Sequence, residues 1–328
     1  MILTHNRSLT AKIGAVSFVL FWAVFCLTLA GCARFSDVKE ATKEYVDSFS
    51  TPGDHLKKKV GIVMFENKTL LKIDGLENKF MDYLLKTIQK ECDEILFLKP
   101  GDAGYPEALI DLPQQLSGDI DNLYLATTGR QHGLNAVVAG TLTGVSEDQE
   151  KHGMLWFKSV RPYVRVQISA AIYDSETGAK LFDDSFNHRV EVEETESDLF
   201  EETEFKLSDL DSKTLDMALT EAFDEIAENM GEAICEALED HPWRGFVTSV
   251  SDDKIIISSG KTAGLKPGDI LDVYRTDDVY QGARDQRFFI PGLKTGEIKI
   301  TIVSPDKSVA EVVSGQDIKP GSSVRPKK

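Results

Sequence analysis

Cysteine and histidine are scarce in this chain, four and six among 328 residues. Zinc sites built on these residues need four ligands at short spacings. His188 and Glu191 sit three apart in a strand-like stretch, but no cysteine or histidine pair completes a site. His132 and His152 read as surface or satisfied histidines at a helix end and in a loop. A Gly-x-Ser-x-Gly nucleophile elbow is also missing. "GKT" at 260–262 resembles part of a phosphate-binding loop. That loop needs a glycine where Ile255 stands and a helix afterwards, whereas a turn and a strand follow. Carboxylates are too abundant for any pair to signal catalysis. The sequence therefore offers no catalytic residue, no cofactor site and no metal site, and the chain reads as a non-enzyme. Positive charge is short as well: 37 Lys and Arg stand against 54 Asp and Glu, for a net charge of −17. Such a surface repels phosphate backbones and excludes nucleic acid as a partner.

Acidic residues are absent before Asp37, while Arg7 and Lys12 precede an uncharged apolar run at 13–30. A basic start, an apolar stretch and small residues at a cleavage point mark a secretory signal. The run is long enough to raise the alternative of a retained membrane helix, which needs roughly 17–25 residues. The cysteine that follows decides for a signal. Leu29-Ala30-Gly31-Cys32 looks like a bacterial lipobox, in which residues 1–31 are removed and the Cys32 sulfur carries diacylglycerol. Several acyl chains, palmitate among them, give a stable anchor where one chain would not. Ala33 in place of Asp suggests the outer membrane, by similarity to sorted bacterial lipoproteins. Loss of the 31-residue leader from 328 residues leaves 297, and loss of Arg7 and Lys12 moves the charge from −17 to −19. So acidic a chain is repelled by anionic headgroups, so the lipid must hold the membrane.

Of the four cysteines, Cys26 leaves with the leader and Cys32 is assigned to lipid. Cys92 and Cys235 remain, an even pair in an oxidising compartment. Each ends a helical pattern off the main apolar stripe. Two helix flanks can still meet laterally, so a disulfide stays open.

Residues 32–57 are polar and read as a tether, with a short helix at 38–46. Order is expected from "KKVGIVMF", whose residues are apolar on both faces as in a buried central strand. Leu76, Phe80, Leu84 and Ile88 repeat as a helix stripe. Strand 95–98, helix 122–132 closed by Gly133, and strand 136–143 follow. Strict alternation from Val164 to Tyr173, a turn at 174–178 and Leu181, Phe182 and Phe186 predict an antiparallel hairpin. The charged run 148–153 reads as a hairpin tip. The acidic stretch after Val192 reads as a solvated loop, with Leu199, Phe200 and Phe205 able to dock. Leu215, Leu219, Phe223, Ile226 and Met230 mark a long helix that stops before Pro242. From there only short strands appear, with Asp, Gly and Pro turns between them. Pro267-Gly268 fits the centre of a type II turn. The expected fold class is α+β, a mixed sheet with flanking helices over 58–241, then a small β-barrel-like domain over 242–328.

Two resemblances cover most of the mature chain. "KKVGIVMFEN", "GLNAVVAGTLTGV" and "ISAAIYDSETGAKLF" resemble the fold shared by the TolB amino-terminal domain, the curli secretion lipoprotein and lipoprotein activators of penicillin-binding proteins. "GFVTSVSDDKIIISSGKTAGLKPGDILDVYR" and "TGEIKITIVSPDKSVAEVVSGQDIKPGSSV" are similar to the carboxy-terminal domain of flagellar assembly protein T, which helps to build the ring around the flagellar motor. The lipobox departs from that family. The resemblance implies an outer-membrane, periplasm-facing lipoprotein that binds envelope or flagellar basal-body proteins. An activator of peptidoglycan synthesis that binds a penicillin-binding protein is the alternative. A curli-type pore is disfavoured, because charges at 143–163 and the acids at 186–213 break any lipid face. A homo-oligomer stays open.

One long connection, "TDDVYQGARDQRFFIPGLKT", exceeds the usual 2–5 residues of a hairpin loop. Arg284, Arg287, Phe288 and Phe289 in it are of the residue types that dominate binding hot spots, and mark an expected partner-binding surface. The competing expectation is that both phenylalanines fold back onto the barrel core, as an added strand "RFFI".

Overall fold

The structure is a computed structural model that describes residues 55–328, apart from 72, 116–118, 155–156, 193–204, 252–253 and 328. The leader, Cys32, Ala33, most of the tether, Leu199 and Phe200 lie outside the described residues.

Strand β1 (Lys58–Ile62) carries Val60 and Ile62 on one face, and Gly61 with the following Val63 on the other. All four are buried, so this strand lies inside a layered core. It runs parallel to β3 (Ile95–Leu98) and to β4 (Ala136–Met154). Short β2 (Glu66–Asn67) also pairs with β4. Parallel neighbours need crossovers, here α1 (Leu76–Glu91) and α2 (Asn122–His132). Strands β5 (Phe157–Asp174) and β6 (Lys180–Glu191) extend the sheet in antiparallel fashion, giving the order β3-β1-β4-β5-β6.

The two faces bury different residues. Helices α1 and α3 (Ser212–Glu239) cover Val60, Ile62, Val138, Ile168 and Ile172 with Phe80, Leu84, Ile88, Phe223 and Met230. The Phe80 ring sits 5.3 Å from Phe65 and 5.4 Å from Phe223. On the other face Leu125 of α2 packs with Val63, Leu134, Val137 and Tyr173. Asp121 caps α2 by accepting from Tyr124 N, and Gly133 ends it at φ +71. A side chain at Gly133 would also strike the backbone of Ser258, so this glycine serves both helix closure and close approach.

Cys92, at the end of α1, is joined by a disulfide to Cys235 of α3, with Cα atoms 5.6 Å apart. Both cysteines belong to the buried core. They lie off the sheet-facing stripe, yet a flank turned toward a neighbouring helix is as dry as one turned toward a sheet.

Two sequence expectations need correction. The strand expected at 136–143 continues to Met154, and 148–153 are paired strand residues rather than a hairpin tip. Charged residues sit there because the ribbon is stabilised across its strands, through Arg165 with Asp148 and Arg189 with Glu150. The tether ends earlier than residue 57: Leu56 packs in the second core, and Lys57 N donates to Ala263 O at 3.0 Å. Phe205, one of the three residues able to dock from the acidic stretch, does so and is buried in the core beneath α3.

The second lobe is a closed six-stranded barrel in the order β12-β13-β8-β7-β14-β9. Its strands are β7 (Gly245–Ser251), β8 (Lys254–Ile257), β9 (Ile270–Tyr274), β12 (Lys294–Val303), β13 (Ser308–Gly315) and β14 (Ser323–Pro326). Val247, Ile255, Ile257, Leu271, Val273, Ile298, Ile300 and Val324 fill it, with Leu56 and Trp243. In the turn before β9, Gly268 takes φ +100 and Asp269 N donates to Lys266 O. The fold class is thus α+β followed by a small all-β barrel. Both lobes belong to one compact unit, 55–328.

Candidate functional site

The joint between the lobes is built on the turn after β5. Asp174 folds it, accepting from Glu176 N at 2.9 Å, Thr177 N at 3.0 Å and Thr177 Oγ1 at 2.5 Å. That turn directs the Glu176 carboxylate into the barrel lobe. Arg244 Nε reaches it at 2.9 Å, Arg325 at 2.9 Å and Ser323 Oγ at 2.5 Å. Glu176 is only 4% exposed. Burial pushes its carboxyl up, but Arg244, Ser323 and Arg325 together outweigh burial and hold it below its usual range. Asp174 is lowered in the same way: burial opposes, while His241 and Thr177 prevail. Asn135 adds a bond from its Nδ2 to Arg244 O at 2.8 Å.

The long connection forms a second contact. Its strands β10 (Val279–Gln281) and β11 (Arg287–Phe289) pair as a hairpin outside the barrel. Asn122 of α2 binds both sides of Arg287, donating to its carbonyl at 2.6 Å and accepting from its N–H at 3.3 Å. Arg287 also reaches Asp121 at 3.4 Å, and Phe289 N donates to Thr177 O at 2.8 Å. The Arg130 guanidinium of α2 lies 3.6 Å from the Phe289 ring centroid. The expected extra strand therefore exists, but it packs on α2 instead of entering the barrel core.

The four residues expected at a partner surface thus divide. Arg287 and Phe289 make contacts within the chain. Arg284 is exposed in the hairpin turn at φ +54, and Phe288 is half-buried opposite the exposed Tyr280. Arg130, Glu176 and Arg244 were not singled out in the sequence. Arg130 looked like one more charged residue in a helix, and Glu176 like a turn residue. Only the fold brings them together.

Beside the hairpin, a cavity of 590 Å³ opens between the lobes, with Arg130, Thr248, Arg275, Thr276, Phe289 and Lys319 among its walls. Arg130 is 5% exposed. It donates to the carbonyls of Ser175 at 3.1 Å and Thr276 at 2.8 Å, and to that of Glu176. Burial lowers its guanidinium to about 10, against the opposing pull of Glu176 and Asp174, so it stays charged at neutral pH.

The remaining motifs do not converge. At 260–262 the amides of Lys261 and Thr262 donate to Ser304 O and Pro305 O, which leaves them no role in holding phosphate. A Cβ at Gly260 would meet the backbone of 304–307, so close approach explains this glycine. His132 is exposed on α2, and His188 lies on β6 near its end, where Glu191 pairs with Arg161. Among the described residues no three His, Cys, Asp or Glu side chains group to hold a metal ion. No helix among them is long and apolar enough to cross a membrane.

Residues 252–320 match the family described as flagellar assembly protein T, C-terminal domain. The matched span runs from β8 through β13 and includes the β10–β11 hairpin. No curated protein matches the chain. Among solved structures, a lipoprotein of Neisseria meningitidis, GNA1162, is similar at 14% identity and TM-score 0.27, over 52% of this chain and 98% of that one. A minor lipoprotein of Acinetobacter baumannii is similar at 10% identity and TM-score 0.27, over 55% and 93%. The PelC dodecamer of Paraburkholderia phytofirmans is similar at 11% identity and TM-score 0.27, over 55% and 94%.

Proposed function

We propose that this chain is a lipid-anchored lipoprotein of the outer membrane, facing the periplasm, that binds protein partners during assembly of the flagellar basal-body ring. The match of 252–320 to the flagellar assembly protein T family carries the reading. The lipobox at 29–32 supplies the anchor through Cys32. The mixed-sheet lobe is read as a TolB-like partner-binding module, with domains at 58–241 and 242–328. Within the barrel lobe, the outward side of the hairpin, with Arg284 and Phe288, is the proposed contact surface.

The test is genetic. Basal bodies isolated from cells without this chain should lack an outer ring in electron micrographs. The wild-type chain should restore it, and Cys32→Ser should not. An intact ring without the chain would overturn the reading.

A further inference from the structure

The cavity between the lobes joins a buried cation to a shaped, partly apolar space. Its 590 Å³ falls in the range of about 300–1,000 Å³ typical of ligand pockets. Arg130 is its deepest charge. A guanidinium has five N–H donors, and three hydrogen bonds of Arg130 go to backbone carbonyls. Among the described residues no carboxylate forms an ion pair with it. The nearest candidate, Glu176, turns its carboxylate to Arg244, Arg325 and Ser323 and offers Arg130 only its carbonyl.

The rim adds Arg275 and Lys319. Arg275 pairs with Asp277 at 3.2 Å and Asp278 at 3.4 Å, and Lys319 with Asp317 at 3.2 Å. These pairs are exposed and weakly held. Among the described residues Asp277 is the one acid in the lining itself, against three cations. With Asp278 and Asp317 paired to the rim cations as well, the charges around the cleft balance, and Arg130 is the cation left without an ion pair among the described residues. Phe289 and Pro320 provide apolar wall, and the hydroxyls of Thr127, Thr248 and Thr276 line it, each donating to a backbone carbonyl of this chain and so left as an acceptor.

We propose that this cleft binds a short peptide end-on, with the C-terminal carboxylate of the peptide held by Arg130 and its last side chains against Phe289 and Pro320. Buried guanidinium is the group that pairs with a planar carboxylate by two parallel hydrogen bonds. The threonine oxygens can accept from the N–H groups of a peptide backbone, and the apolar patch suits small side chains. The position also couples ligand to architecture, since Arg130 touches Thr276 of one lobe and Ser175 of the other. This site is independent of the flagellar reading and stands or falls separately.

The full-length protein, purified in detergent, is titrated calorimetrically with tri-L-alanine as the free acid, with its C-terminal amide, and with inorganic phosphate. The free acid should bind. The amide and phosphate should each bind at least about tenfold more weakly, a difference of about 1.4 kcal/mol. The double variant Arg275→Glu/Lys319→Glu should weaken the free acid by about tenfold or more with an unchanged melting temperature. Arg130→Lys, which keeps the charge but loses the fork, should weaken it too. Equal binding of acid and amide would overturn the proposal. So would phosphate that binds as well as the acid, the lack of any binding at millimolar peptide, or full affinity in the rim variant.

Discussion

Glu176 Oε2 accepts from Arg244 Nε at 2.9 Å, across the joint between the mixed-sheet lobe and the barrel lobe. Both side chains are largely buried, at 5% and 13% exposure. Removing one partner of a buried pair leaves the other charge unpaired, which costs about 3–5 kcal/mol. Glu176→Gln strands Arg244 and Arg325 together. In chemical denaturation the variant should unfold earlier by that order and in two steps, one for each lobe. A single transition at the wild-type midpoint would show that the pair does not join the lobes.

The same joint gives the stability curve its acid limb. Glu176 and Asp174 both have folded-state carboxyls held below their ordinary values of 4.5 and 3.8. A depressed carboxyl contributes stability above its unfolded value and loses it as pH falls through the folded one. The contribution is therefore full at neutral pH and drains below about pH 4.5. Melting temperature followed from neutral to acid pH should fall in that window for wild type. Glu176→Gln should start lower and fall less steeply. Parallel curves for the two proteins would exclude Glu176 as a source of the slope.

Much of this architecture was legible before the fold was known, and the reason is periodicity. Leu76, Phe80, Leu84 and Ile88 face one sheet, so their spacing states their partner. Val164 to Tyr173 alternate because one sheet face differs from the other. The β4–β5 ribbon was misread because Glu147 and Lys151 carry no hydrophobic signal; cross-strand charge pairs stabilise it, and pairing at a distance leaves no local pattern. Leu56 was read as tether because one apolar residue has no period. The joint was invisible for the same cause: Arg130, Glu176, Arg244 and Arg325 are spread over 196 positions. The hairpin aromatics were seen as a feature, but their neighbour, α2, could not be read from the loop itself.

The disulfide between Cys92 and Cys235 closes a loop with a sequence separation of 143. Native disulfides of this kind stabilise by about 2–5 kcal/mol, chiefly by restricting the unfolded chain. Cys92→Ala/Cys235→Ala should unfold at lower denaturant by that order while keeping its circular dichroism spectrum. Reduction of the wild type should reproduce the shift, and the double variant should not respond to reductant. Identical midpoints for oxidised and reduced wild type would deny the bridge a structural role.

The hairpin phenylalanines should behave differently from each other. Phe289 lies on Arg130, whereas Phe288 faces Tyr280 on the hairpin. Phe289→Ala loses part of its buried area and the ring's hold on a cation, and should cost about 2 kcal/mol. Phe288→Ala should cost well under half as much in a thermal melt. A larger loss from Phe288→Ala would invert the assigned roles.

The central claim is that this chain is a lipid-anchored binding partner within the flagellar basal body. The most direct test places a photo-crosslinking amino acid at Phe288 in the full-length chain, in growing cells, and identifies the captured proteins by mass spectrometry. The account predicts capture of flagellar ring or rod proteins, lost when Cys32 is replaced by Ser. Capture of a penicillin-binding protein and no flagellar component would contradict it.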